Sequence, residues 1–196
     1  MPAERSPEVA ARRFIEALVS VTSCVTTQRL TTLTTYYTPA ENQTILFPDP
    51  PVALRAPSGG PRGLLLDLSH VFAIDEAPES VPFRRRWRVT TRMYQYRLLD
   101  QRERELLVYH WQPGDAFLGP DHPHVHVSAA LSAQVTAIDT EIIDLTGLHL
   151  ATGRVSLEAV IRMLIEEFGV APQRPDWREI LARTEAVFQD EATQRI

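Results

Sequence analysis

Four of the chain's six histidines fall within Val108–Val127, VYHWQPGDAFLGPDHPHVHV: His110, His122, His124 and His126. Trp111, Asp115 and Asp121 lie in the same stretch. The segment His122–Val127 reads as a short strand. Strand side chains alternate between faces, so His122, His124 and His126 share one face and Pro123, Val125 and Val127 the other. The valine face is the expected core face. Neutral imidazoles are ligands for Zn²⁺, Ni²⁺, Cu²⁺ or Fe²⁺. Histidines two apart on a strand are ~6.7 Å apart at Cα and can converge on one ion. The outer pair, ~13 Å apart by the same rise, cannot easily share it. A divalent transition metal such as zinc would therefore use His124 and His126, with His122 secondary. A further ligand would come from His110, Asp115, Asp121, His122 or His149. Two other readings stand beside this one: a metal-free acid–base pair, and an exposed strand that happens to be rich in histidine.

A second constellation precedes the first. Phe83–Leu99 is the longest strand candidate. One parity carries Trp87, Val89, Thr91 and Met93. The other carries Arg84, Arg86, Arg88, Arg92, Tyr94 and Tyr96. An exposed arginine–tyrosine face of this kind holds phosphates in bidentate fashion and stacks bases. Beside a histidine cluster it suits RNA: histidine supplies base and acid, arginine the charge stabilisation. His110, His124 and His126 are then the catalytic candidates, and Arg86, Arg88, Arg92, Tyr94 and Tyr96 the substrate-binding ones. The same face equally suits a binding module without catalysis, gripping a protein or a nucleic acid. The plain alternative is a solvated strand whose arginines pair with the acids of 75–79 or with Glu103 and Glu105. His110, between Tyr109 and Trp111, is either a tuned acid or base or a core histidine. Cys24 has no basic neighbour in sequence and reads as buried.

Pro113-Gly114-Asp115 with His124-Val125-His126 looks somewhat like the first cupin motif, but Ser128–Gln134 contains none of the acid that motif requires. A broader resemblance covers residues 64 to 126. Leu64–Leu68, Tyr94-Gln95-Tyr96, Leu98–Glu105, Leu106–Trp111 and Pro123-His124-Val125-His126 resemble, in order, the TumE-like toxins of bacterial toxin–antitoxin systems. That family carries an Arg-Tyr-Asp-Asn run after its second strand, where this chain has Tyr109-His110-Trp111-Gln112. The resemblance implies a toxin-like ribonuclease with an antitoxin-like protein partner.

These residues need a scaffold. The chain has 196 residues, 44% hydrophobic, enough for a core in one domain spanning 1–196. No apolar run reaches the ~20 residues that cross a bilayer. The N-terminus lacks a signal-peptide pattern and there is one cysteine, so a cytoplasmic protein is expected. All 20 basic residues are arginine and the net charge is −5. The whole surface is thus no magnet for nucleic acid, although residues 84–104 hold eight arginines against Asp100 and Glu103.

Ser6-Pro7-Glu8 starts a helix expected to run to Thr22. The Thr-rich run 22–38 suggests one or two strands, or a continuation of the helix. Pro39–Arg62 reads as loop, with Val52–Leu54 only a fragment. Gly63–Ile74, Phe83–Leu99 and Glu105–Trp111 read as strands, the last two as a hairpin that sets Tyr94 opposite Tyr109 or His110. Ile138–Leu150 reads as a strand and turn. Helices follow at Leu157–Phe168, capped by Ser156 and ended by Gly169, and at Trp177–Phe188. The expected class is α+β: an antiparallel β-sheet of about five to seven strands, with the N-terminal helix and two C-terminal helices packed on one face. The histidines and the arginine–tyrosine residues are expected on the other.

Overall fold

A computed structural model of the chain describes residues 3–34, 37–78, 86–114, 120–128 and 149–189. Among the residues and elements expected from sequence, Arg84, Asp115 and the segments 129–135 and 138–148 lie outside the described residues. The order is α1 (Pro7–Thr22), β1 (Thr31–Thr32), β2 (Gln43–Leu46), β3 (Val52–Arg55), β4 (Pro61–Glu76), β5 (Trp87–Asp100), β6 (Glu105–Trp111), β7 (His124–Val127), β8 (His149–Ala151), α2 (Leu157–Glu166) and α3 (Trp177–Gln189). The eight strands form one sheet, β1-β2-β4-β5-β6-β7-β8, with β3 on the same edge of β4 as β2 but further toward its start. Every pairing is antiparallel. The fold is α+β, as the hydrophobic periodicities indicate.

Local chemistry sets the helices. The Ser6 hydroxyl accepts a hydrogen bond from the Val9 N–H, and Pro7 occupies the first turn, where no N–H is needed. Ser156 caps α2 through the Ala159 N–H at 3.1 Å. Just beyond α2, Gly169 takes φ 63°, a left-handed conformation that glycine adopts without a Cβ clash. The buried stripes of the helices meet one sheet face. Phe14 of α1 lies 4.8 Å, ring to ring, from Phe72 of β4. Tyr109 of β6 donates its hydroxyl hydrogen to the Met163 sulfur of α2. Ile161, Leu164, Ile180 and Leu181 join Phe14, Leu18, Leu66 and Leu68 in one core.

Two β-bulges decide which side chains join that core. Phe72 pairs with Thr91 and Val71 with Met93, so Arg92 is an extra residue on β5. Side chains alternate by two along a strand, so one inserted residue exchanges the faces beyond it. Val89 and Thr91 face the helices before the bulge; Tyr94, Tyr96 and Leu98 face them after it. His70 documents the switch, since its ring touches both Thr91 and Tyr96. The expected arginine–tyrosine face is therefore not one surface. Tyr94 and Tyr96 are 3% and 2% exposed, stacked on each other in the core.

The second bulge lies in the β5–β6 hairpin. Leu98 pairs with Leu107 and Leu99 with Glu105, leaving Leu106 as the extra residue. Tyr94 then stands opposite Trp111 rather than opposite Tyr109 or His110. His110 stands opposite Gln95, on the face away from the helices. The loop expected over Pro39–Arg62 contains β2 and β3. Pro48, Pro50 and Pro51 sit between β2 and β3, where they remove no ladder hydrogen bond, and Pro61 opens β4.

Candidate metal centre

β6 and β7 are neighbours, and their register places His110 opposite His124 and Val108 opposite His126. His110 and His124 are thus a directly facing pair, and His126 is one step along the same face. The Leu106 bulge puts His110 there. Without that extra residue the hairpin register would set His110 opposite Tyr94, on the helix side. Val125, between the two β7 histidines, points the other way and is buried at 8% exposure, as alternation requires.

The three imidazoles cluster. One nitrogen from each of His110, His124 and His126 lies within 4.8 Å of the others. The ring centroids are 4.1 Å apart for His110–His124 and 4.9 Å for each of the other two pairs. Tetrahedral zinc with Zn–N of about 2.0–2.1 Å holds its nitrogens about 3.3 Å apart. The rings need to draw in by at most about 1.5 Å, within reach of small side-chain rotations. His124 is 1% exposed; His110 and His126 are half-buried, so the cluster is approached from their side. Nδ1 of His124 donates to the carbonyl oxygen of His122 at 2.8 Å. That bond fixes the tautomer and leaves the lone pair on Nε2. An imidazole held in this way is the usual form of a metal-ligating histidine. The Nε2 atoms of His124 and His126 are both screened from solvent.

His122 serves differently from the expectation. Its side chain is exposed and precedes β7, which starts at His124. Its ring centroid is 5.9 Å from that of His124, and it stands outside the cluster. Its contribution is the backbone carbonyl. Backbone register sets His149 of β8 opposite His126. Asp121 accepts the Trp111 indole N–H through its backbone carbonyl at 3.1 Å.

The sixth histidine, His70, is a core residue. Nδ1 lies 3.0 Å from the Tyr96 hydroxyl and Nε2 lies 3.1 Å from Thr91 Oγ1. Burial, aided by Arg154, lowers its pKa to about 3, so the ring is neutral. Burial likewise raises the phenol of Tyr96 well above its ordinary range, with Tyr94 and Glu158 adding to the effect. Glu158 on α2 is a buried acid that no local sequence pattern singles out. Burial raises its pKa above that of an ordinary carboxyl.

Among the arginines, Arg86 pairs with Glu76 at 2.6 Å and Arg92 with both carboxylate oxygens of Asp75 at 2.8 and 2.9 Å. Arg88 is half-buried opposite Asp75. Arg97, not among the candidates read from sequence, is held by Asp67 at 2.9 Å and Glu105 at 3.1 Å. It lies on the histidine-bearing face, beside Val108.

No family model, no curated protein and no solved structure matches this chain. The chemistry therefore rests on the cluster alone. Among the described residues the cluster is three imidazoles with no carboxylate or thiolate, a neutral set. Such a set suits Zn²⁺, Cu²⁺, Ni²⁺ or Fe²⁺ rather than Mg²⁺ or Ca²⁺, which prefer oxygen. A zinc held by these three histidines alone would keep a fourth position for water or substrate, the arrangement of catalytic rather than structural zinc.

Proposed function

We propose that this chain binds one divalent transition metal such as zinc through His110, His124 and His126, and uses it to activate water in a hydrolytic reaction. The observation that carries the reading is the convergence of three imidazole nitrogens within 4.8 Å on two adjacent strands. The backbone-anchored ring of His124 adds to it. In this reading His124 is the fixed ligand at the base, and His110 and His126 close on the ion from the accessible side.

A ribonuclease of the toxin class, paired with an antitoxin, is the nucleolytic form of the same proposal, set in a bacterial cytoplasm. No helix among the described residues is long and apolar enough to cross a membrane. A module that grips RNA or protein through arginine and tyrosine has less support. Its tyrosines are in the core, and Arg86 and Arg92 already serve carboxylates.

The test is thermal unfolding of untagged protein with zinc and with chelator. An ion that binds only the folded form at about 100 times its Kd stabilises by about 2.7 kcal/mol. In a chain of this size that is about 5–10 °C in Tm. The increment is expected in wild type and lost in His110→Ala, His124→Ala and His126→Ala. A metal-free acid–base pair would instead leave melting unchanged by zinc and give a bell-shaped pH–rate profile.

A further inference from the structure

We infer that the substrate at this centre is an uncharged acyl compound, an ester or amide, rather than a phosphodiester, which sets aside the nucleolytic form of the proposed function. The inference rests on the metal-centre reading and adds the substrate class. Charge, the polar row beside the cluster and the ligand set each lead to it.

Charge comes first. Residues 105–127, which supply all three ligands and the loop between them, contain Glu105, Asp115 and Asp121 and no arginine. Two arginines of the neighbouring strand share the histidine face: Arg88, beyond the bulge and opposite Asp75, and Arg97, which is clamped between Asp67 and Glu105. That trio carries net charge −1. Arg104 is likewise held by Asp100, and Arg154 lies over the Trp111 ring at 4.1 Å. Phosphoryl and phosphodiester chemistry relies on cationic side chains to offset charge on the equatorial oxygens. The described surroundings offer acids or committed arginines instead.

A neutral polar row crosses the sheet beside the cluster. Ser69 pairs with Gln95, Gln95 with His110, and His110 with His124, so the four share one face. Ser69 and Gln95 are half-buried. An amide and a hydroxyl beside the centre match the hydrogen-bonding groups of a neutral carbonyl substrate.

The ligand set points the same way. With no anionic ligand among the described residues, an ion held there would keep its full charge. It then polarises both a carbonyl oxygen and a water molecule strongly. In the reaction, the water oxygen bonds to the acyl carbon and the C–O or C–N bond to the leaving group breaks. One water proton goes to the leaving group and the other is released from the new acid.

The experiment uses the full chain loaded with zinc, with bound zinc counted by equilibrium dialysis before any assay. Turnover of p-nitrophenyl acetate and of bis(p-nitrophenyl) phosphate is then compared in wild type, apoprotein and His126→Ala. With each rate divided by that of the compound's uncatalysed hydrolysis, the ester is expected to exceed the diester in acceleration by about 100-fold or more, the worth of missing charge stabilisation at the reacting centre. Ester turnover should fall to background in apoprotein and in His126→Ala. The double variant Asp67→Asn/Glu105→Gln frees Arg97 and should narrow the ratio by speeding the diester. Zinc bound at one per chain with the diester preferred, or with neither compound turned over above apoprotein, overturns the substrate class and leaves the metal centre standing. Absence of zinc binding removes the centre and this inference together.

Discussion

His70 should make the protein acid-labile by an amount that can be worked out. In the fold its ring is neutral, bonded to Tyr96 and Thr91 inside the core, with a pKa lowered by burial to about 3. In the unfolded chain a histidine titrates near ~6.5. Between those values the unfolded state holds one more proton than the folded state, so stability falls as pH falls. Above pH ~6.5 both states are neutral at this ring and the effect vanishes. The slope is about 1.4 kcal/mol per pH unit, which removes about 2 kcal/mol between pH 7 and pH 5. Glu158, whose pKa burial raises, works in the opposite direction over the carboxylate range, because there the folded state holds the extra proton. A single stability–pH curve therefore mixes the two. The difference between wild type and His70→Gln isolates the ring. At pH 7 the variant should lose about 1–3 kcal/mol, since a flexible amide does not reproduce the ring's fixed bonds to Tyr96 and Thr91. It should then lose less than wild type as pH falls, so the two stabilities converge. Urea unfolding with chelator present, followed by fluorescence of Trp87, Trp111 and Trp177, measures this between pH 5 and 8. Equal pH slopes for the two proteins would refute the buried, neutral assignment of His70.

Three further outcomes are expected. Val125→Asp places an unpaired charge on the buried side of β7 and should cost about 3 kcal/mol or more, read as a drop in the urea midpoint. Trp177→Ala, at a ring 5% exposed under α3, should cost about 3–5 kcal/mol in the same assay while leaving zinc stoichiometry unchanged in the folded fraction. His122→Ala should retain zinc within a few-fold of wild-type affinity by competition titration. The residue holds His124 through its carbonyl, which the substitution leaves in place.

Much of the architecture was legible where one residue fixes one event. Ser6 and Pro7 mark the start of α1, Ser156 marks that of α2, and the valines of His124–Val127 name the buried side of β7. β2 and β3 were hidden because their strands are four residues each, framed by prolines that dominate the local pattern. The larger loss came from the bulges. Arg92 and Leu106 carry no mark in sequence, yet each shifts the parity of the residues beyond it. The first sent Tyr94 and Tyr96 into the core instead of onto an arginine face. The second carried His110 to the histidines of β7. The pair His124 and His126 could be read from spacing two along a strand. That His110, not His122, completes the cluster depends on pairing between strands 14 residues apart at the facing positions His110 and His124, which no local pattern reports. His122 shares their parity, but it lies outside the strand that holds the others in line.

The most direct test of the centre is zinc-edge X-ray absorption on untagged protein reconstituted with one equivalent of zinc, beside elemental analysis of the same sample. A three-histidine centre requires one zinc per chain with three imidazole nitrogens at about 2.0–2.1 Å and a fourth ligand without imidazole outer-shell scattering, and loss of that shell in His110→Ala. Wild type that holds no zinc after dialysis, or a first shell that His110→Ala leaves unchanged, would contradict it.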